Sequence, residues 1–211
     1  MDYRKASHEY WNNTWTEYTT YTVDNWLNDF SDIINTATLP ILDLGCGNGN
    51  DTAYLRSHGK EVIACDQSEM AIRNVRKQFR GIEAMRLNIL DGLPFGDNSF
   101  EIVVADLSLH YFTKNDTINV LNELKRILKT DGHLLIRVNS INDTNHGAKL
   151  GKELEHHLYE VNGMTKRFFD IEDVKEFFKD FQIEYINEEL MTRYTRQKWV
   201  YKICLCNKVY N

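Results

Sequence analysis

Between residues 40 and 140, short apolar runs alternate with longer stretches whose apolar residues recur at helical spacing. The short runs are the signature of strands buried on both faces, and the longer ones of amphipathic helices. Strands are predicted at about 40–44, in "EVIACD", in "IEAMRLNI", in "FEIVVAD" and in "HLLIRVNS". Helices are predicted at about 50–58, ended by Gly59, and at about 69–79, with Ser68 as N-cap. In "KNDTINVLNELKRILK", Ile118, Leu121, Leu124, Ile127 and Leu128 share one face, with Gly132 closing the helix. Regular alternation with short connections implies an α/β fold with a doubly wound parallel sheet. Its ligand site lies at the carboxyl ends of the strands.

The flanks read differently. Residues 2–35 are polar and rich in Trp and Tyr, with Trp26, Phe30, Ile33 and Ile34 at helical spacing. Residues 141–169 are polar and irregular, with some helix expected at 148–160, and sit where a substrate-binding lid is expected. "DIEDVKEFFKDF" is a short helix capped by Asp170, and "IEYINEELM" and "KWVYKICLCNKV" are strands that should pair antiparallel. The chain thus reads as one domain over 1–211: a helical cap at 1–35, a core at 36–140, a lid-like insertion at 141–169, and a helix with a strand pair at 170–211.

Composition narrows the function classes. The 211 residues are 42% hydrophobic and 12% aromatic, enough for a folded domain with a sizeable core. A net charge of −6 gives no bulk basic footprint, so nucleic acid is not an expected partner. No apolar run approaches the roughly 18 residues of a membrane span, and the N-terminus lacks the apolar region of a secretory signal. Cys46, Cys65, Cys204 and Cys206 show no paired spacing; Cys204 and Cys206 read as reduced packing residues, and no metal site is expected. A cytoplasmic monomer or homodimer is the expectation.

The chemistry concentrates in "ILDLGCGNGND", where Gly45, Gly47 and Gly49 follow a strand that carries Asp43. Such a loop lets the backbone turn sharply and approach a ligand. The dinucleotide fingerprint places its third glycine one position later, where Asn50 stands here. Asp66, at the end of the second strand, is placed to accept hydrogen bonds from ribose hydroxyls, and an acid there is costly without a partner.

With these acids, "LDLGCGNG" followed by "VIACDQSEMAI" resembles motifs I and II of the class I S-adenosylmethionine-dependent methyltransferases, whose fold is a seven-stranded, mostly parallel, doubly wound sheet with an antiparallel final strand. "GLPFGDNSFEIVVAD" resembles the family's passage from third to fourth strand, and "RILKTDGHLLI" its approach to the fifth, with Thr130 where Pro is usual. The resemblance covers about residues 36–140. "GCGNGND" and the short length also resemble the small branch that methylates small molecules or tellurite.

The resemblance implies S-adenosylmethionine as cofactor and S-adenosylhomocysteine as product. Cofactor contacts are expected from Asp43, Gly45, Cys46, Gly47, Asn48 and Gly49, with Asp43 toward the ammonium and Asp66 on the ribose. Gln67, Asn88 and Ile89 would surround the adenine, Asn88 replacing the family's usual Asp, and Ala105 lies at the fourth strand's end.

Methyl transfer is an in-line displacement that needs alignment and exclusion of water, and needs a base only if the acceptor must lose a proton. His110 in "ADLSLHYF" is the candidate base or pocket-shaping residue, and this segment lacks the pattern linked to nucleobase methylation. Tyr10, Trp11, Tyr111, Asn139, Arg167 and Arg193 are candidate acceptor contacts, the arginines as clamps for an anion. The expected reaction is methyl transfer to a small-molecule acceptor. The competing readings are an NAD(P)-dependent oxidoreductase on a similar sheet and a non-catalytic S-adenosylmethionine-binding module.

Overall fold

The computed structural model describes residues 3–193 and 196–208, and side chains for all of these except 3–6, 193 and 196. A seven-stranded sheet forms the centre. Its strands are β1 (Ile41–Leu44), β2 (Val62–Asp66), β3 (Glu83–Arg86), β4 (Phe100–Asp106), β5 (Leu128–Asn139), β9 (Gln182–Arg193) and β10 (Arg196–Cys206). They lie in the order β3-β2-β1-β4-β5-β10-β9. The first five run parallel, and β10 is antiparallel to both β5 and β9. The expected α/β class and doubly wound, mostly parallel sheet with a closing antiparallel pair are present.

Every residue of β1 is buried, because helices cover both faces of the sheet. One face packs on α5 (Lys114–Ile127) and α6 (Ile171–Phe177). The other packs on α2 (Ser31–Thr36), α3 (Asn50–Ser57) and α4 (Glu69–Gln78), with Trp26, Leu27, Phe30 and Ile34 of the N-terminal region filling the gap beneath β1 and β4. Ser68 caps α4 by accepting from the Ala71 amide, and Asp170 caps α6 in a reciprocal capping box with Asp173. All four cysteines are free and buried. Among the described residues no helix is long and apolar enough to cross a membrane.

Two local expectations are corrected. The buried stripe of α5 is Thr117, Val120, Leu121, Leu124 and Ile127, while Ile118 is exposed. Gly132 does not close this helix: the chain turns straight into β5 at Leu128, which is extended, and Asp131 takes the left-handed conformation. The larger difference is at 148–160, where a helix was expected. The segment instead forms β6 (Lys152–Glu155) and β7 (Leu158–Val161), followed by β8 (Met164–Arg167), a separate antiparallel sheet. Asn162 and Gly163 both have positive φ and make the two-residue turn between β7 and β8. Tyr159 and Phe168 then pack with Ile141 and Ala148 as a small satellite core.

Candidate functional site

The carboxyl ends of β1, β2 and β4 open into a cavity of about 680 Å³, covered on its outer side by α1 (Tyr3–Glu17). The glycine loop forms the floor. Gly45 and Gly47 both have positive φ, and a Cβ would strike Ser108 at the first and come within 2.7 Å of the Trp15 ring at the second. The Gly45 and Cys46 amides donate to the Cys65 carbonyl at 2.7 and 2.9 Å, which locks the loop to the end of β2.

Asp66 accepts from the Gly47 amide at 2.9 Å and from the Ser68 amide at 2.8 Å, so its carboxylate stands at the cavity wall between the two motifs. Burial pushes its pKa up to about 6 against the lowering effect of those two amides. Gln67, Leu87, Asn88 and Ile89 continue this wall. The Asn88 side chain accepts from the Leu90 amide at 3.2 Å, fixing a turn that presents the following isoleucine.

Helix α1 is polar, and its attachments are specific. Asn12 accepts from Ser68 Oγ at 2.7 Å, Ser7 Oγ accepts from Gln67 at 3.1 Å, and the Trp15 carbonyl accepts from Asn74 at 2.8 Å. On its inner side Trp11 stacks on Trp15 and meets Tyr111 edge-on, each with ring centroids 5.6 Å apart. Tyr10 and Trp11 both line the cavity.

At the opposite end lie His110, Tyr111 and Asn139. His110 is 1% exposed, and among the described residues neither ring nitrogen has a hydrogen-bond partner; the Asn139 Oδ1 likewise has none among them. Burial, then the charges of Lys198 and Lys166, hold the imidazole well below its ordinary pKa. His110 is therefore a neutral donor and acceptor near pH 7, rather than the base titrating near neutrality that its residue type suggests.

Several expected contacts are not at the cavity. Asp43 lies buried behind the loop, accepting from Thr52 Oγ1 at 2.5 Å, so it ties β1 to α3. Its pKa is pushed up to about 7, chiefly by burial. Asn48 faces the N-terminal segment, donating to the Tyr18 carbonyl and accepting from Asn74. Gly49 caps α3 and packs under Val75 and Phe79 of α4. Ala105 points into the core, since side chains alternate along β4 and the cavity instead receives Asp106, Leu107 and Ser108. Arg167 is buried on Glu155 and the His156 carbonyl, over the Phe177 ring, where it clamps the small sheet to α6. Arg193 ends β9, and its side chain lies outside the described residues.

Three cavity acids were missed, one of them Glu17 at the end of α1. Asp51 accepts from the Trp26 indole at 2.7 Å, and Asp106 takes two bonds, 2.7 and 2.9 Å, from the buried Arg137. Asp106 was legible in principle, as an acid ending a parallel strand on the active side of the sheet. Lys166 and Lys198 also line the cavity; they come from the C-terminal third, where no motif marks them.

Residues 42–136 match the family described as a methyltransferase domain. An uncharacterized methyltransferase of Synechocystis, sll0829, is 29% identical over 92 residues, covering 44% of this chain and 43% of that protein. The human mitochondrial arginine-hydroxylase NDUFAF5 is 38% identical over 98 residues, covering 43% of this chain and 26% of that protein. The chain thus spans less than half the length of either relative. In fold, it superimposes on a methyltransferase from Anabaena variabilis with a TM-score of 0.70, at 19% identity, covering 98% of this chain and 95% of the other. The glycine loop against Asp66, the strand order and the matched segment agree: residues 42–136 match a methyltransferase domain, and the sheet around them has the fold of the S-adenosylmethionine-dependent methyltransferases it superimposes on.

Proposed function

We propose that the protein transfers the methyl group of S-adenosylmethionine to a small-molecule acceptor, which binds at the His110 end of the cavity. One observation carries the reading. One cavity of about 680 Å³ has the glycine loop and Asp66 at one end and, at the other, the His110 ring nitrogens and Asn139 Oδ1, which have no hydrogen-bond partner among the described residues. That volume lies within the range of roughly 300–1,000 Å³ typical of one ligand site, yet it has to take cofactor and acceptor together, which favours a small acceptor. The residues fit the cofactor: two loop positions have no room for a Cβ, and Asp66 keeps lone pairs beyond those used by the Gly47 and Ser68 amides.

The bound cofactor supplies an electrophilic methyl group on sulfonium, with a neutral thioether as leaving group. Asp66 would hold the ribose, and Gln67, Asn88 and Ile89 the adenine. Asp43 would act indirectly, by fixing the strand and helix that carry the loop. His110 and Asn139 would orient the acceptor, while Trp11 and α1 keep water out. The glycine spacing disfavours the nicotinamide reading, and turnover separates an enzyme from a binding module. Incubation with S-adenosylmethionine and a panel of thiols, phenols, amines and carboxylates should release S-adenosylhomocysteine with at least one class; binding of S-adenosylhomocysteine without any release would favour the binding module.

A further inference from the structure

Outside the cavity, the two-residue turn between β6 and β7 and the start of α6 bring together His156, His157, Asp170 and Asp173. One ligand atom from each lies within 4.8 Å of the other three. His157 Nδ1 is 2.6 Å from Asp173 Oδ2, and His156 Nε2 is 3.7 Å from Asp173 Oδ1. The capping box fixes both carboxylates: the Asp173 amide donates to Asp170 Oδ1 at 2.8 Å, and the Asp170 amide donates to Asp173 Oδ2 at 3.1 Å. Asp173 is buried, His157 and Asp170 are half-buried and His156 is exposed. A cation can therefore enter past one movable ligand onto three that are already held.

We propose that these four side chains bind one divalent transition-metal ion, zinc in the first instance, and that the ion locks the small sheet onto α6. Two imidazoles with two carboxylates are a donor set that zinc takes tetrahedrally, which places neighbouring donors about 3.3 Å apart. The separations of 2.6 and 3.7 Å bracket that value. As the ion enters, the proton held between His157 and Asp173 leaves to solvent, and the two capping amides orient the carboxylate ligands. The turn is coupled to the cavity through β8. The His157 carbonyl accepts from the Phe168 amide at 2.8 Å, and the Arg167 amide donates to the His110 carbonyl at 2.7 Å. Thr165 Oγ1 donates to the Tyr111 carbonyl at 2.6 Å, and Met164 lines the cavity. An ion at the turn thus steadies the wall that carries His110. No short motif marks the site in the sequence, because His157 and Asp173 stand 16 positions apart.

The test titrates zinc chloride calorimetrically into the whole chain after treatment with a chelator and desalting, and repeats the titration with His156→Ala. That substitution removes an exposed ring and leaves the contact between His157 and Asp173, so the fold is kept, which circular dichroism verifies. Zinc should bind wild type saturably at micromolar concentration, and His156→Ala should weaken it by about tenfold or more. His133→Ala, which removes a ligand from the cluster of His133, Glu184 and Cys204, should leave the affinity unchanged. Zinc should also slow amide hydrogen exchange in β7 and β8 of wild type and leave β3 unaltered. Absence of saturable binding, or wild-type affinity in His156→Ala, would reduce the cluster to an ion pair and overturn the proposal. Zinc binding lost in His133→Ala, or unaltered exchange in β7 and β8, would overturn it equally. No measurement here uses S-adenosylmethionine, so the result stands apart from the methyl-transfer reading.

Discussion

His110 sits where burial and two ammonium groups act in the same direction, and Asp106 alone opposes them. Its imidazole therefore stays neutral through the range in which a free histidine titrates, about pH 6 to 8. With saturating cofactor and an acceptor whose ionisation is complete, kcat should show no inflection near 6.5 attributable to this residue. A pH profile with such an inflection, abolished in His110→Gln, would contradict the assignment. The residue-scale features legible in the sequence were those with a motif: the glycine loop, Asp66 and Asn88 all reach the cavity wall. Asp43, Asn48 and Gly49 belong to the same motif yet bind protein instead, because a loop this tight has two sides and sequence does not say which side a residue faces. Arg167 fell to packing for a related reason: the His156 and Phe112 carbonyls that hold it come from segments far apart in the chain, and its acid partner Glu155 is 12 positions away.

Helix α4 and helix α1 share one side chain. Ser68 Oγ accepts from the Ala71 amide at 3.2 Å, capping α4, and donates to Asn12 Oδ1 at 2.7 Å, tethering α1. Ser68→Ala should lower unfolding free energy by about 1 kcal/mol, the usual scale for a lost N-cap, and should also weaken S-adenosylhomocysteine binding through the loosened cover. Asn12→Ala should weaken binding while leaving most of the stability. Urea unfolding with calorimetry on both variants checks this, and equal losses of stability would show that α1 is part of the folding core rather than a cover. The helices with caps and apolar stripes were legible, since both signals are local. The small sheet of β6, β7 and β8 was misread as helix, although Asn162-Gly163 is a strong hairpin signal. Its residues are too polar to show strand alternation, and they become a sheet as Tyr159 of β7 packs on Ile141, Ala148 and Phe168.

Across the whole molecule, the buried acids beneath the site govern stability against pH. Asp43 is raised from 3.8 to about 7 and Asp66 from 3.8 to about 6, burial being the first cause for both. Between those values the folded chain holds protons that the unfolded chain has released, so their contribution to stability falls as pH rises and levels off above about 7. Chemical denaturation of the cofactor-free protein from pH 5 to 8, about one unit either side of these values, should show this decline, and Asp43→Asn should flatten it. An equal decline in the variant would locate the effect elsewhere. The strand order was legible because alternation and short connections leave few topologies, whereas the acceptor end was not, being assembled from α1, β8 and β10. The central claim is that this cavity holds S-adenosylmethionine through Asp66. Calorimetric titration of wild type and Asp66→Ala with S-adenosylhomocysteine and with NADH tests it most directly. Saturable one-to-one binding of S-adenosylhomocysteine, weakened in Asp66→Ala by about 1.5–3 kcal/mol for lost charged hydrogen bonds, with no heat from NADH, is the predicted result; no binding of S-adenosylhomocysteine, or equal affinity in the two proteins, would contradict it.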